Sequence, residues 1–98
     1  MIEVELQIPD QVKSEAVVRV VEQVCASHDL NCSLKGTLVS YPGSLHWHVK
    51  QGKHRGTLEI TWWESGHRLW FKVANGRTSE SILKNIPQLQ QQIEKLLP

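Results

Sequence analysis

The two histidines of the run His46-Trp47-His48 have the residue type and spacing that best suit chemistry. In a β-strand, alternate side chains point to the same side, so both imidazoles would share one face. The strand register predicted from the turns places Glu59 opposite His48, which would complete a set of two histidines and one carboxylate that suits zinc or iron. Because five histidines in 98 residues produce such pairs by chance, we expect no metal, no cofactor and no catalysis, and keep His46, His48 and Glu59 as the weak candidate for a metal site.

The remaining reactive residues point to no specific chemistry. Cys25 and Cys32 are too few for a disulfide framework and lack the spacing of a zinc site, so we expect the reduced thiols of a cytosolic protein. The glycine-bracketed loop at residues 52–56 lies between predicted strands rather than before a helix, unlike a phosphate-binding loop. No apolar run is long enough to span a membrane, and the acidic, alternating start of the chain is unlike a secretory signal.

The length and composition are those of one globular domain, with 40% hydrophobic and 21% charged residues. We therefore predict a single α+β domain over residues 1–98. The net charge of +1 hides an uneven distribution. Residues 1–32 carry six acidic and two basic side chains, whereas residues 33–77 carry two acidic and seven basic ones. The middle of the chain can therefore form a local basic patch although the total charge argues against tight binding of nucleic acid by bulk electrostatics.

Hydrophobic periodicity predicts the first two elements. Alternation of apolar and polar residues over positions 2–8 indicates a strand buried on one side. A helix follows the Pro9-Asp10 stop, with Asp10 or Ser14 as its N-cap, and ends near Asp29.

Turn residues divide the rest of the chain. Turns at 41–44, 52–56 and 65–66 predict four strands, at residues 33–41, 45–51, 57–64 and 68–74. A closing helix begins near Thr78 or Ser79 and keeps its apolar spacing through Pro87, either as a bent helix or as two short ones.

The turns also predict the strand register. The Ser65-Gly66 turn and the four-residue loop at 52–55 give pairings that keep apolar residues on one face. The predicted pairs are Trp63 with Arg68, Trp62 with Leu69, Thr61 with Trp70, Ile60 with Phe71, Glu59 with Lys72, Val49 with Leu58, Trp47 with Ile60, and Leu45 with Trp62. The order βαββββα then predicts an α+β fold, with a five-stranded, mostly antiparallel mixed sheet and both helices on one face. The first two strands would run parallel if they were adjacent.

One face of this sheet is expected to stay open. Leu34 and Leu38 are assigned to the helix-covered face, and Lys35 to the open one. The pleat places Trp63, Trp70 and Tyr41 on the open face, at one end, and gathers basic residues toward the other end. Clustered large apolar side chains on an exposed face are typical of a contact surface.

The sequence leaves several functions open for this face. The leading hypothesis is a non-catalytic interaction domain that forms a homodimer, or binds another protein, through Trp63, Trp70, Tyr41, His46 and Arg68. The alternative is binding of single-stranded nucleic acid, with Trp63 and Trp70 stacking on bases and Lys50, Lys53, Arg55 and Lys72 contacting phosphates. A purely structural role remains for the same aromatic residues, with cross-strand pairs and Arg68 over the Trp63 ring stabilising the sheet.

Overall fold

A computed structural model describes all 98 residues. The element order is βαββββα, as the sequence predicts. The elements are β1 (Ile2–Glu5), α1 (Ser14–Ser27), β2 (Leu30–Gly36), β3 (Leu45–Gln51), β4 (Leu58–Trp63), β5 (Arg68–Val73) and α2 (Glu80–Leu96). Neither helix combines the length and the apolar composition that crossing a membrane would require.

The five strands form one sheet in the order β1-β5-β4-β3-β2. Each neighbouring pair is antiparallel, so the predicted α+β class is confirmed and the sheet has no parallel pair. The expected mixed character is absent because β1 and β2, the strands that would have paired in parallel, lie at opposite edges. The connection through α1 carries the chain from one edge of the sheet to the other.

The predicted register of the three central strands is confirmed. Both turns close the hairpins where their residues indicate, and the apolar side chains consequently share one face. The observed pairs are Trp63 with Arg68, Trp62 with Leu69, Thr61 with Trp70, Ile60 with Phe71, Glu59 with Lys72, Val49 with Leu58, Trp47 with Ile60, and Leu45 with Trp62.

Both helices pack on the face formed by these apolar residues, and together they enclose one core. Full burial of each large apolar side chain contributes about 1.5–3 kcal/mol relative to exposure. Residues with at most 1% of their surface exposed include Val17 and Val21 of α1, Ile82, Leu89 and Ile93 of α2, and Ile60, Leu69 and Phe71 of the sheet.

Two tryptophans of the core use α1 to satisfy their indole N–H groups. Trp47 Nε1 donates to Glu22 Oε2 at 3.0 Å, and Trp62 Nε1 donates to Ser14 Oγ at 2.9 Å. Glu22 also accepts from Lys35 Nζ at 2.8 Å. The hydrogen bonds from Lys35 and Trp47 lower the pKa of Glu22, because both favour its charged form. These contacts fix α1 against the sheet.

The second strand differs from the prediction in its position. It spans Leu30–Gly36 rather than residues 33–41, because the chain reverses within two residues of the end of α1. Asp29 takes a φ of 58°, a left-handed conformation that aspartate tolerates better than most residues, and β2 follows immediately. Residues 37–44 therefore form a long connection instead of the end of a strand.

A register shift in β2 inverts the predicted faces of two residues. The shift lies between Cys32 and Leu34, so Leu34 pairs with His48 and Lys35 pairs with Trp47. Leu34 consequently lies on the open side with 53% of its surface exposed, and Lys35 reaches α1. The assignment of Leu34 to the core and of Lys35 to the open face was wrong, because an extra residue in a strand reverses the alternation beyond it.

The ends of β1 and α1 also differ from prediction, whereas α2 begins after Ser79, one of the two predicted starts. The first strand stops at Glu5 rather than at residue 8, and the N-cap of α1 is Lys13, which makes no capping bond through its side chain. Neither Asp10 nor Ser14 is the N-cap. The Ser14 hydroxyl instead accepts a hydrogen bond from Trp62 Nε1. The closing helix is a single element that continues through Pro87.

Candidate metal centre

His46, His48 and Glu59 meet on the face of the sheet that the helices leave uncovered, here called the open face. The histidines occupy alternate positions of β3, and Glu59 of β4 pairs with His48. Thr61 pairs with His46 in the same ladder. Pleat and register therefore place the three candidate ligands at neighbouring positions on one face, as the sequence indicates.

The three ligand atoms converge. His46 Nε2 lies 3.0 Å from His48 Nε2 and 3.4 Å from Glu59 Oε1, and His48 Nε2 lies 3.9 Å from the same oxygen. Three atoms at these separations lie on a circle whose radius is about 2.0 Å, which matches the 2.0–2.1 Å of a zinc–imidazole bond. One divalent ion can therefore reach all three atoms with little movement. We call this set the metal centre.

Thr61 orients the first ligand. The Nδ1 atom of His46 lies 2.7 Å from Thr61 Oγ1. When this Nδ1 carries the proton and donates to Thr61, the lone pair of Nε2 faces His48 and Glu59. A partner on the second nitrogen is the usual way in which proteins fix the tautomer of a metal-binding histidine.

Burial favours the neutral form of His46, which is the form that binds metal. Only 6% of the His46 surface is exposed. Its pKa lies below the ordinary 6.5, chiefly because burial disfavours the charged ring, and the neighbouring His48 and Lys72 act in the same direction. Glu59 opposes these effects. Lys72 pairs with Glu59 across the strands but makes no salt bridge with it, which leaves this carboxylate to the histidines.

The aromatic end of the open face is covered by the chain itself. Tyr41, in the connection between β2 and β3, places its ring edge-on at 5.0 Å from Trp70 and 5.1 Å from Trp63. Trp63 Nε1 donates to the Pro42 carbonyl of the same connection at 3.1 Å. We call Tyr41, Trp63 and Trp70 the aromatic cluster. Trp70 has only 5% of its surface exposed.

The expected exposed contact surface is therefore wrong in two of its five residues. Trp70 and His46 are buried, whereas Tyr41, Trp63 and Arg68 are half-buried. The physical reason is that residues 37–44 do not extend β2 but fold back over the sheet. Arg68 lies 4.4 Å above the Trp70 ring rather than above Trp63, and forms a two-bond ion pair with Glu5. A buried Trp70 is also unable to stack on a nucleic-acid base.

The basic residues proposed for phosphate contact separate into two groups. Lys50 and Arg55 line one depression at the end of β3, whereas Lys53 and Lys72 do not. Arg77, which the sequence analysis did not select, lines the same depression. The only signal for Arg77 was its place in the turn before α2. Thr61 was also missed as a site residue, although the predicted register places it beside the histidines.

Comparison with known proteins finds no family model, no curated protein and no solved structure that matches this chain.

Proposed function

We propose that this protein is a metal-binding domain in which His46, His48 and Glu59 hold one divalent transition-metal ion. The observation that carries the proposal is the convergence of two imidazole nitrogens and one carboxylate oxygen within 3.9 Å of one another. A proton shared between the two histidines would also hold these atoms close together, so the test must distinguish a bound metal ion from a hydrogen-bonded pair.

The ligand types favour a transition metal over calcium or magnesium. Imidazole suits zinc, copper, iron and nickel, whereas calcium and magnesium prefer sites built from oxygen atoms. Zinc tolerates two histidines and a carboxylate without a strict geometric demand, so we take it as the reference ion. Three protein ligands leave a position for water or an exchangeable ligand.

A zinc titration by calorimetry tests the proposal. The protein is prepared without a histidine tag and freed of metal, and zinc is added to the wild type, to His48→Ala and to Glu59→Gln. We expect one equivalent to bind the wild type, with affinity reduced at least about tenfold in each variant, because each loses one of three ligands. Thr61→Val should weaken binding about 10–100-fold by releasing Nδ1 of His46.

Control variants distinguish zinc binding at the metal centre from zinc binding by other exposed histidines and carboxylates. His54 is exposed in the loop after β3, and Glu3 is an exposed carboxylate of β1. His54→Ala and Glu3→Gln should bind zinc as the wild type does. A wild type that takes up no zinc at micromolar concentrations would contradict the proposal, as would equal affinities in the wild type and His48→Ala.

Self-association remains a second candidate function, and the exposure of two large apolar side chains favours it. Val39, in the connection that covers this cluster, is 96% exposed, and Leu34 is 53% exposed. Covering exposed apolar side chains of this kind with a second protein surface is energetically favourable. Sedimentation should show a concentration-dependent dimer for the wild type and a monomer for Leu34→Ser/Val39→Ser. A wild type that stays monomeric at high concentration would exclude self-association as the function.

A further inference from the structure

A second site lies beyond the metal centre, at the end of the open face opposite the aromatic cluster. It is a depression of about 500 Å³ whose lining contains three cationic side chains and no acidic or large apolar one. We call it the basic pocket. Its lining residues are Lys50, Arg55, Gly56, Thr57, Gly76, Arg77 and Thr78.

The fold holds together the two backbone segments that carry Arg55 and Arg77. The Thr57 N–H donates to the Arg77 carbonyl at 3.0 Å, which ties the loop after β3 to the turn before α2. Gly56 brings the same loop so close to α2 that a β-carbon there would lie 2.6 Å from Ser79 Oγ and 3.0 Å from the Arg77 carbonyl oxygen. Its φ of 101° is also one that other residues rarely adopt. The backbone that lines the pocket is therefore held in place, and the exposed side chains of Lys50, Arg55 and Arg77 extend from it.

The positive charge of the basic pocket is not neutralised within the protein. The ion pairs of the chain join Lys35 to Glu22, His46 and His48 to Glu59, and Arg68 to Glu5. None involves Lys50, Arg55 or Arg77. Like charges gathered around one depression repel each other, and a bound anion relieves that repulsion.

The geometry points to binding of a phosphate group in the basic pocket. Each guanidinium offers a planar array of N–H donors that fits phosphate oxygens two at a time, and the Lys50 ammonium adds three more donors. Thr57 and Thr78 contribute polar lining. A volume of about 500 Å³ exceeds what one phosphate fills and accommodates the remainder of a small phosphorylated ligand.

Calorimetry on metal-free protein at low salt tests this inference independently of the metal centre. The probes are inorganic phosphate, glycerol phosphate and, as an uncharged comparison, glycerol. We expect both phosphates to bind the wild type and glycerol not to bind. Tighter binding of glycerol phosphate than of inorganic phosphate would indicate that the ligand is a phosphate ester, whereas equal binding would indicate free phosphate. Either result supports phosphate binding in the basic pocket.

Charge-matched variants locate the binding. Arg55→Gln/Arg77→Gln removes two charges from the basic pocket, and Lys13→Gln/Arg19→Gln removes two exposed charges from the region of α1. The first pair should weaken phosphate binding at least about tenfold, whereas the second should change it less than about twofold. Arg55→Lys/Arg77→Lys keeps the charge and should restore part of the affinity.

Three results would overturn the inference. One is the absence of phosphate binding at millimolar concentration, and another is equal weakening by the two charge-matched double variants. The third is binding of a single-stranded oligonucleotide without binding of either small phosphate, which would favour a nucleic-acid surface instead. The variants alter exposed side chains, and unchanged circular dichroism verifies that each remains folded.

Discussion

The Nε2 atoms of His46 and His48 lie 3.0 Å apart on the open face of the sheet. Two ring nitrogens at this distance cannot both carry a proton, so the pair holds either one shared proton or one metal ion. Glu59 Oε1 lies within 3.9 Å of both nitrogens and supplies a negative charge to whichever cation occupies the space. This relationship distinguishes His46 and His48 from two separate surface histidines, and it is the geometry on which the proposed metal site rests.

The stability of the metal-free protein should depend on pH through His46. Burial lowers the pKa of His46 below 6.5 in the folded protein, so between that pKa and 6.5 the unfolded chain takes up a proton that the folded one does not. The free energy of unfolding should therefore fall as pH drops below 6.5 and stop falling once the folded ring is protonated. Proton NMR titration of the His46 ring checks this directly. A midpoint at or above 6.5 in the folded protein would contradict it.

Replacing Glu22 by alanine should destabilise the protein by about 1–3 kcal/mol, because the buried Trp47 N–H loses its acceptor. Glu22→Gln retains a carbonyl acceptor and should cost less. Urea unfolding of both variants measures the difference, with Gln23→Ala as the control on the exposed side of α1. Equal stability of Glu22→Ala and Gln23→Ala would show that the hydrogen bond to Trp47 contributes nothing.

Tyr41→Ala should uncover the aromatic cluster. Loss of two edge-to-face contacts, with Trp63 and Trp70, should lower the free energy of unfolding by about 1–3 kcal/mol and increase acrylamide quenching of tryptophan fluorescence. Tyr41→Phe keeps the ring and should stay close to the wild type in both measurements. Unchanged quenching in Tyr41→Ala would mean that Trp70 is not covered by this residue.

Gly56→Ala should be more destabilising than Gly43→Ala, although both glycines have positive φ. A β-carbon at Gly56 meets Ser79 and Arg77, whereas one at Gly43 meets nothing within 4 Å. At both positions the positive φ should cost alanine about 1 kcal/mol of stability. Any further loss of stability in Gly56→Ala measures the close approach of the loop to α2. Thermal unfolding of the two variants gives the comparison. A larger loss at Gly43 would be inconsistent with this packing.

The register of the metal centre was predictable because it depends on short-range signals. The Ser65-Gly66 turn and the loop at 52–55 each fix one hairpin, and alternating apolar residues on both sides leave no other pairing that buries one face. The position of Glu59 opposite His48 follows from the loop at 52–55. What the sequence could not provide was the inward approach of the three ligand atoms, since that depends on side-chain rotamers and burial.

The largest differences from the predicted fold lie in the segment from Asp29 to Ser44. Asp29 marks the end of α1 in the sequence, but neither the immediate start of β2 after it nor the register shift after Cys32 has a sequence signal of its own. The same shift frees residues 37–44 to fold over the open face. Burial of Trp70 by Tyr41 is therefore a tertiary effect that periodicity alone does not reveal.

The most direct test of the metal centre is nitrogen NMR of the histidine rings during addition of zinc. One equivalent should shift the Nε2 resonances of His46 and His48 and leave the proton of His46 on Nδ1, facing Thr61. The rings of His28, His54 and His67 should not change. Shifts confined to those three histidines, or no shift of His46 and His48 at saturating zinc, would contradict the proposed metal centre.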